Sequence, residues 1–168
     1  GQATAVIECA RARDEFFEKT GRYIPICSDG GIRNTGDMVI AFALGADTLM
    51  MGKFFAGFTE SPSPLIQKKF RVMGDGSNMT KEVYVYVKEY WGEASARAKS
   101  YKRYGHDDPR TFTIEGEEGW VLHKGSIRDQ LPRDILAIKS AISASGCRTI
   151  SEFHKNAKVE VQSIASYR

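Results

Sequence analysis

Two short segments carry the residues best suited to grip an anion. The first, Ser28-Asp29-Gly30-Gly31-Ile32, follows an apolar run and precedes a helical pattern. A strand end, two glycines and a helix start offer backbone N–H groups to a phosphate, and the helix dipole adds to the attraction. Asp29 stands where it could accept hydrogen bonds from a ribose diol; the plainer alternative is a tight turn with a helix-capping aspartate. The second segment, Met51-Gly52-Lys53, also closes an apolar run. Gly52 would let a phosphate approach the backbone and Lys53 would supply a counter-charge, although a plain loop explains the same pair. Adjacent strands of one barrel would set the two glycine turns side by side, where barrel enzymes bind phosphate.

Three other groups bear on chemistry. Glu89-Tyr90-Trp91-Gly92-Glu93-Ala94-Ser95 sets two aromatics and two acids beside a glycine, which suits either a base-binding edge or an aromatic hairpin base. Arg103-Tyr104 lies in a polar stretch and reads in isolation as a solvated pair. Cys9, Cys27 and Cys147 are odd in number and widely spaced, which fits reduced thiols in the cytoplasm and packing roles. No metal-ligating set is apparent.

The elements that must position these residues follow from periodicity. Residues 2–19 read as a helix with Val6, Cys9, Ala10, Phe16 and Phe17 near one face, stopped by Gly21. Tyr23–Ser28 reads as a buried parallel strand, with Pro25 against a central place in a ladder. A helix from Asp37 to Leu44 follows the capping candidates Asn34 and Thr35 and ends at Gly45. Asp47–Met51 is a second strand. Helix, strand, helix, strand, each strand closing on glycine, is the beat of a βα parallel sheet or barrel.

The middle changes character after Ser61-Pro62-Ser63-Pro64. Lys69–Val72 and Glu82–Lys88 are extended runs around Gly74-Asp75-Gly76-Ser77-Asn78, which predicts a β-hairpin finger over about 65–89. Residues 95–120 lack periodicity and predict a long mobile loop, a flap of about 95–122. Leu131, Ile135, Ile138 and Ile142 then mark a helix with Pro132 in its first turn. Thr149 with Glu152 predicts a capping box for a last helix, and Val159-Glu160-Val161 a terminal strand.

Composition limits the partners. The chain has 168 residues, and 24 Lys+Arg against 21 Asp+Glu leave a net charge of only +3. That is too small and too dispersed to argue for nucleic acid, and no run reaches the roughly 18 apolar residues of a membrane helix. The lack of an initiator methionine suggests a processed, cleaved or partly recorded chain.

In order along the chain, Gln2–Val6, Cys27–Arg33, Gly45–Gly57, Thr59–Pro62, Glu89–Ser95, Arg103-Tyr104 and Lys124–Ile127 resemble the C-terminal half of the IMP dehydrogenases, a superfamily shared with GMP reductase. The resemblance implies an α/β fold, the C-terminal portion of a (β/α)8 TIM barrel whose N-terminal half is not in this chain. It implies NAD-dependent oxidation of IMP to XMP, the committed step of guanine nucleotide synthesis, through a covalent cysteine adduct. Asp29 would then bind the ribose hydroxyls. Gly31, Gly52, Lys53 and Tyr90 would surround the phosphate, Gly30 would be a further substrate-binding residue, and Gly92, Glu93 and Ala94 would meet the base. Glu115-Gly116 falls where the family has an acid or amide that contacts the purine. Arg103, assisted by Tyr104, would activate the hydrolytic water. NAD and a potassium ion are the implied cofactors, the potassium ligands lying outside this chain, and a homotetramer in the cytoplasm is the implied assembly.

Two departures stand out. Ala94 replaces a usual glycine, and the family's Gly-Ser-x-Cys-x-Thr nucleophile loop does not occur here. Three readings fit these residues: IMP dehydrogenase, the NADPH-dependent GMP reductase, and a non-catalytic nucleotide-binding half-barrel. The long insert with Arg103-Tyr104 favours the first over the second, since the reductases typically have a shorter flap without that dyad.

Overall fold

The computed structural model describes residues 1–73, 80–93, 95 and 118–163. They fall into two compact units, residues 1–51 with 131–168, and residues 52–130.

The first unit opens with α1 (Gln2–Thr20), which ends at Gly21 in the left-handed region, its N–H on the Phe17 carbonyl. The buried stripe of α1 is Val6, Ala10 and Arg13, not the predicted set: Cys9, Phe16 and Phe17 are exposed. Arg13 takes the third place because its Nη1 reaches the Gly45 carbonyl and Asp47 Oδ2, both at 2.8 Å. β1 (Cys27–Asp29) and β2 (Thr48–Met50) pair in parallel, with Ser28 opposite Leu49. Both are shorter than their apolar runs. Pro25 has no N–H to give a ladder, and the Asp47 and Thr48 N–H groups both turn to the Ile26 carbonyl. The expected buried strand is also corrected, since in β1 only Ser28 is buried.

Between the strands lies α2 (Thr35–Ala43), capped by Asn34, whose side chain accepts the Asp37 N–H at 3.0 Å. α2 packs on the end of the chain. Ile142, Cys147 and Phe153 form a core with Val39, Phe42, Ala43, Ile138 and Ala157 against it. Ile142 lies on α4 (Ile127–Ala144) and Phe153 on α5 (Ile150–Asn156). Thr149 caps α5 as predicted, accepting the Glu152 N–H at 3.1 Å, and the Glu152 carboxylate reaches back to the Arg148 N–H at 2.7 Å. Cys147 is a packing residue; Cys9 and Cys27 are exposed, off the buried positions of their elements. The expected terminal strand at Val159–Val161 does not form: no strand among the described residues pairs with it, and Val161 is fully exposed.

The second unit holds α3 (Gly52–Ala56) and an antiparallel sheet in the order β3-β4-β5. β3 (Leu65–Met73) pairs with β4 (Thr80–Trp91) from Leu65 opposite Lys88 to Met73 opposite Thr80. The two extended runs thus form one long ladder. β5 (Glu118–Leu122) was expected as loop; it pairs with β4 from Val87 opposite Leu122 to Trp91 opposite Glu118. The core of this unit is Phe54, Phe58, Val87 and Val121, with the Phe54 and Phe58 rings 5.6 Å apart.

The start of α4 also departs from expectation. The helix begins at Ile127, so Pro132 stands inside it rather than in its first turn. Glu60 draws the start forward: its Oε2 accepts the Ile127 N–H at 3.0 Å and its Oε1 the Ser126 hydroxyl. An acid at a helix N-terminus satisfies an otherwise orphaned donor and complements the dipole.

Candidate functional site

The first glycine turn is built by pairing. Asp29 ends β1, opposite Met50, and the Gly30 N–H continues the ladder to the Met50 carbonyl at 3.1 Å. That N–H is therefore not free for an anion, which corrects the expectation for Gly30. Gly30 and Gly31 have φ of 84° and 75°, a backbone that side-chain-bearing residues rarely adopt. Among the described residues, an added β-carbon would meet nothing within 4 Å at either position. Gln2 fastens the strand end: its Nε2 donates to the Asp29 carbonyl at 3.0 Å and to Ser28 Oγ at 3.3 Å. The Asp29 carboxylate is exposed, and no hydrogen bond reaches it among the described residues. It is placed to accept from a diol.

At the opposite end of β1 and β2 lies an ion cluster that sequence reasoning missed. Asp47 accepts from Arg13 Nη1 (2.8 Å), the Tyr23 hydroxyl (2.7 Å) and the Ile26 N–H (2.8 Å). Burial opposes the charge on Asp47, but these three donors outweigh it and hold the carboxyl below its ordinary range. Burial and the bond to Asp47 push the Tyr23 hydroxyl up to about 12. The cluster ties α1 and the approaches to β1 and β2 together. Its signal in sequence was weak, because three polar residues spread over 34 positions have no shared period.

The second glycine turn belongs to the other unit. Gly52 opens α3, and an added β-carbon there would lie 3.3 Å from the Tyr90 hydroxyl and 3.7 Å from its ring. Tyr90, near the end of β4, thus packs on Gly52. Lys53, Tyr90, Glu118, Gly119 and Trp120 line a pocket of about 270 Å³. A cation and a phenol at one small pocket can hold a phosphate by charge and by hydrogen bonding. Gly92 and Glu93 follow in a turn closed by the Ser95 N–H on the Gly92 carbonyl at 3.0 Å. The structure thus gathers Asp29, Gly30 and Gly31 on one turn, and Gly52, Lys53 and Tyr90 around another. Ala94, Arg103, Tyr104, Glu115 and Gly116 lie outside the described residues.

Two residues of this second unit escaped notice in the sequence. Trp120 enters the pocket through β5, with Lys68 Nζ 3.3 Å from its ring centre. Lys88 is 2% exposed and donates to the carbonyls of Phe58 (2.8 Å), Thr59 (3.1 Å) and Ser61 (2.6 Å). Among the described residues, no group of three or more His, Cys, Asp or Glu could hold a metal ion. No helix among them is long and apolar enough to cross a membrane.

Comparison with known proteins bears on the whole chain. The chain is 38% identical over 167 residues to an inosine-5'-monophosphate dehydrogenase of Tritrichomonas foetus and 34% identical over 171 residues to one of Aquifex aeolicus. Each comparison covers 99% of this chain but only 30% and 31% of the relative, so the chain spans about a third of their length. A solved GMP reductase of Trypanosoma brucei, in complex with guanosine 5'-monophosphate, superposes with a TM-score of 0.75 at 27% identity, over 98% of this chain and 30% of that one. The α/β fold is shared with that enzyme. Residues 1–168 match the IMP dehydrogenase / GMP reductase domain throughout, and the chain belongs to that family.

Proposed function

We propose that this chain forms the C-terminal part of the catalytic barrel of an IMP dehydrogenase, which oxidises IMP to XMP with NAD. The observation that carries the reading is the packing of Tyr90 on Gly52 beside Lys53, a phosphate grip. The Asp29-Gly30-Gly31 turn suits a ribose diol, and the curated relatives described above are dehydrogenases. The exposed two-stranded parallel sheet supports the partial barrel, since parallel sheets are ordinarily covered on both faces. The remaining barrel half, with the nucleophilic cysteine, would cover it, in a cytoplasmic homotetramer.

In this reading Asp29 orients the ribose, Gly52, Lys53 and Tyr90 hold the phosphate, and Gly31 is a further substrate-binding residue. Gly92, Glu93, Ala94, Glu115 and Gly116 face the base. The cysteine outside this chain bonds to purine C2, hydride leaves, and water then cleaves the adduct to XMP. Arg103 takes the proton from that water. A guanidinium holds its proton too strongly to be a good base in solution, and desolvation would disfavour that charged form and so favour the neutral base. NAD would supply the hydride acceptor when bound.

GMP reductase is the second reading, favoured by the solved relative. Turnover by the full-length protein decides between them. IMP with NAD should be consumed; activity with only GMP and NADPH would replace the proposal. Calorimetry with Asp29→Ala should show IMP binding weakened by about 1.5–3 kcal/mol, the range of one charge-assisted hydrogen bond. Unchanged affinity would remove Asp29 from the site. In Arg103→Ala a normal NADH burst should precede slow hydrolysis and build-up of the covalent adduct; loss of the burst with IMP still bound would remove Arg103 from its role.

A further inference from the structure

Lys88 is a buried cation whose partners are backbone carbonyls. Its ammonium has three N–H donors and meets three acceptors, the carbonyls of Phe58, Thr59 and Ser61, all within 3.1 Å. Those carbonyls belong to the turn that follows α3. A buried charge is costly unless fully hydrogen-bonded, so a lysine here implies that the turn must be held in one place.

What that place controls is visible along β4. Lys88 and Tyr90 are two residues apart on one strand and so share one face of the sheet. Tyr90 packs on Gly52 at the start of α3, while Lys88 binds the carbonyls just beyond its end. Segment 52–61 is therefore stitched to one face of β4 at both ends. If the Lys88 stitch opened, α3 could slide along β4 and separate Gly52 and Lys53 from the Tyr90 hydroxyl. We propose that Lys88 is a positioning residue for phosphate binding, fixing α3 and its following turn so that Gly52, Lys53 and Tyr90 close on the 5'-phosphate. This rests on the proposed nucleotide site. The residue touches no ligand itself and acts through the three carbonyls.

The test compares IMP with inosine, which differs only by the phosphate, on the full-length protein. Affinities are measured by calorimetry, by displacement for the weaker ligand. Lys88→Met keeps the apolar stem and removes the ammonium. It should weaken IMP binding about tenfold, the equivalent of one charge-assisted contact, and leave inosine affinity unchanged. Because the phosphate grip serves substrate and transition state alike, KM should rise while kcat holds. Lys88→Ala should respond to propylammonium, which can refill the carbonyl cage, by recovering IMP affinity as the amine is titrated. A purely structural role would lower the melting temperature without separating the two ligands and without amine dependence, and would overturn the proposal. Equal loss for IMP and inosine would also overturn it. If the parent protein itself bound inosine as tightly as IMP, the phosphate site would fall, and this inference with it. If the parent prefers IMP and Lys88→Met keeps that preference in full, only the inference falls.

Discussion

Replacing Asp47 with alanine should be among the most damaging single changes in the first unit. The carboxylate accepts three hydrogen bonds, at 2.7, 2.8 and 2.8 Å, from Tyr23, Arg13 and the Ile26 N–H. At roughly 1.5–3 kcal/mol for each bond to a charged group, the simple total would be about 4.5–9 kcal/mol. Two facts reduce it. Arg13 keeps its bonds to the Gly45 carbonyl and to Asp14, and the Tyr23 hydroxyl is exposed enough to find water. What remains is a guanidinium only 3% exposed that loses the less exposed of its two counter-charges, plus one backbone donor. Breaking a buried pair from one side costs about 3–5 kcal/mol, and the surviving partners place Asp47→Ala near 3 kcal/mol. The assay is urea unfolding of the full-length protein followed by circular dichroism. The pH dependence is a second check. The Asp47 carboxyl is depressed in the folded state, so its stabilisation is fully present above the unfolded value near 4 and is lost as pH falls through the lower folded value. The parent should lose stability across that acid window more steeply than Asp47→Ala. A loss under about 1 kcal/mol at pH 7, or parallel acid limbs, would refute this account of the cluster.

Tyr23 gives the opposite limb. Its hydroxyl is raised from 10.0 to about 12, so its contribution is present below 10.0 and is lost as pH rises toward 12; Tyr23→Phe should flatten the alkaline fall in thermal melts. Gly57→Ala should cost about 1–3 kcal/mol, because an added β-carbon would lie 2.7 Å from the Leu122 carbonyl, a backbone atom that cannot rotate away; a parent-like melting temperature would contradict it. Thr149→Ala should cost about 1 kcal/mol by removing the cap of α5, and Thr149→Ser should restore most of it. Gly52→Ala should fold normally, since the 3.3 Å contact is with the far end of the Tyr90 side chain rather than with backbone, yet bind IMP more weakly by calorimetry.

The sequence by itself determined the local grammar. Glycines at 21, 30, 31, 45 and 146 take positive φ, and Asn34 and Thr149 cap the helices their types suggest. Such signals are legible because one residue's stereochemistry decides them. The Gly30-Gly31 turn was legible for the same reason, whereas the ordered motifs were legible only through their resemblance to a known family. Tertiary structure decided the rest. Arg13 displaced Phe16 and Phe17 from the buried face of α1 because Asp47 and the Gly45 carbonyl, more than thirty residues away, could satisfy its charge. Ser126 and Ile127 became a helix start only because Glu60 arrived with its carboxylate. Residues 118–122 became a strand by pairing with β4, and Lys88 became buried because three carbonyls of a distant turn met its three protons. In each case a polar or short segment, which on local evidence belongs in solvent, was drawn inward by partners that only the folded chain supplies.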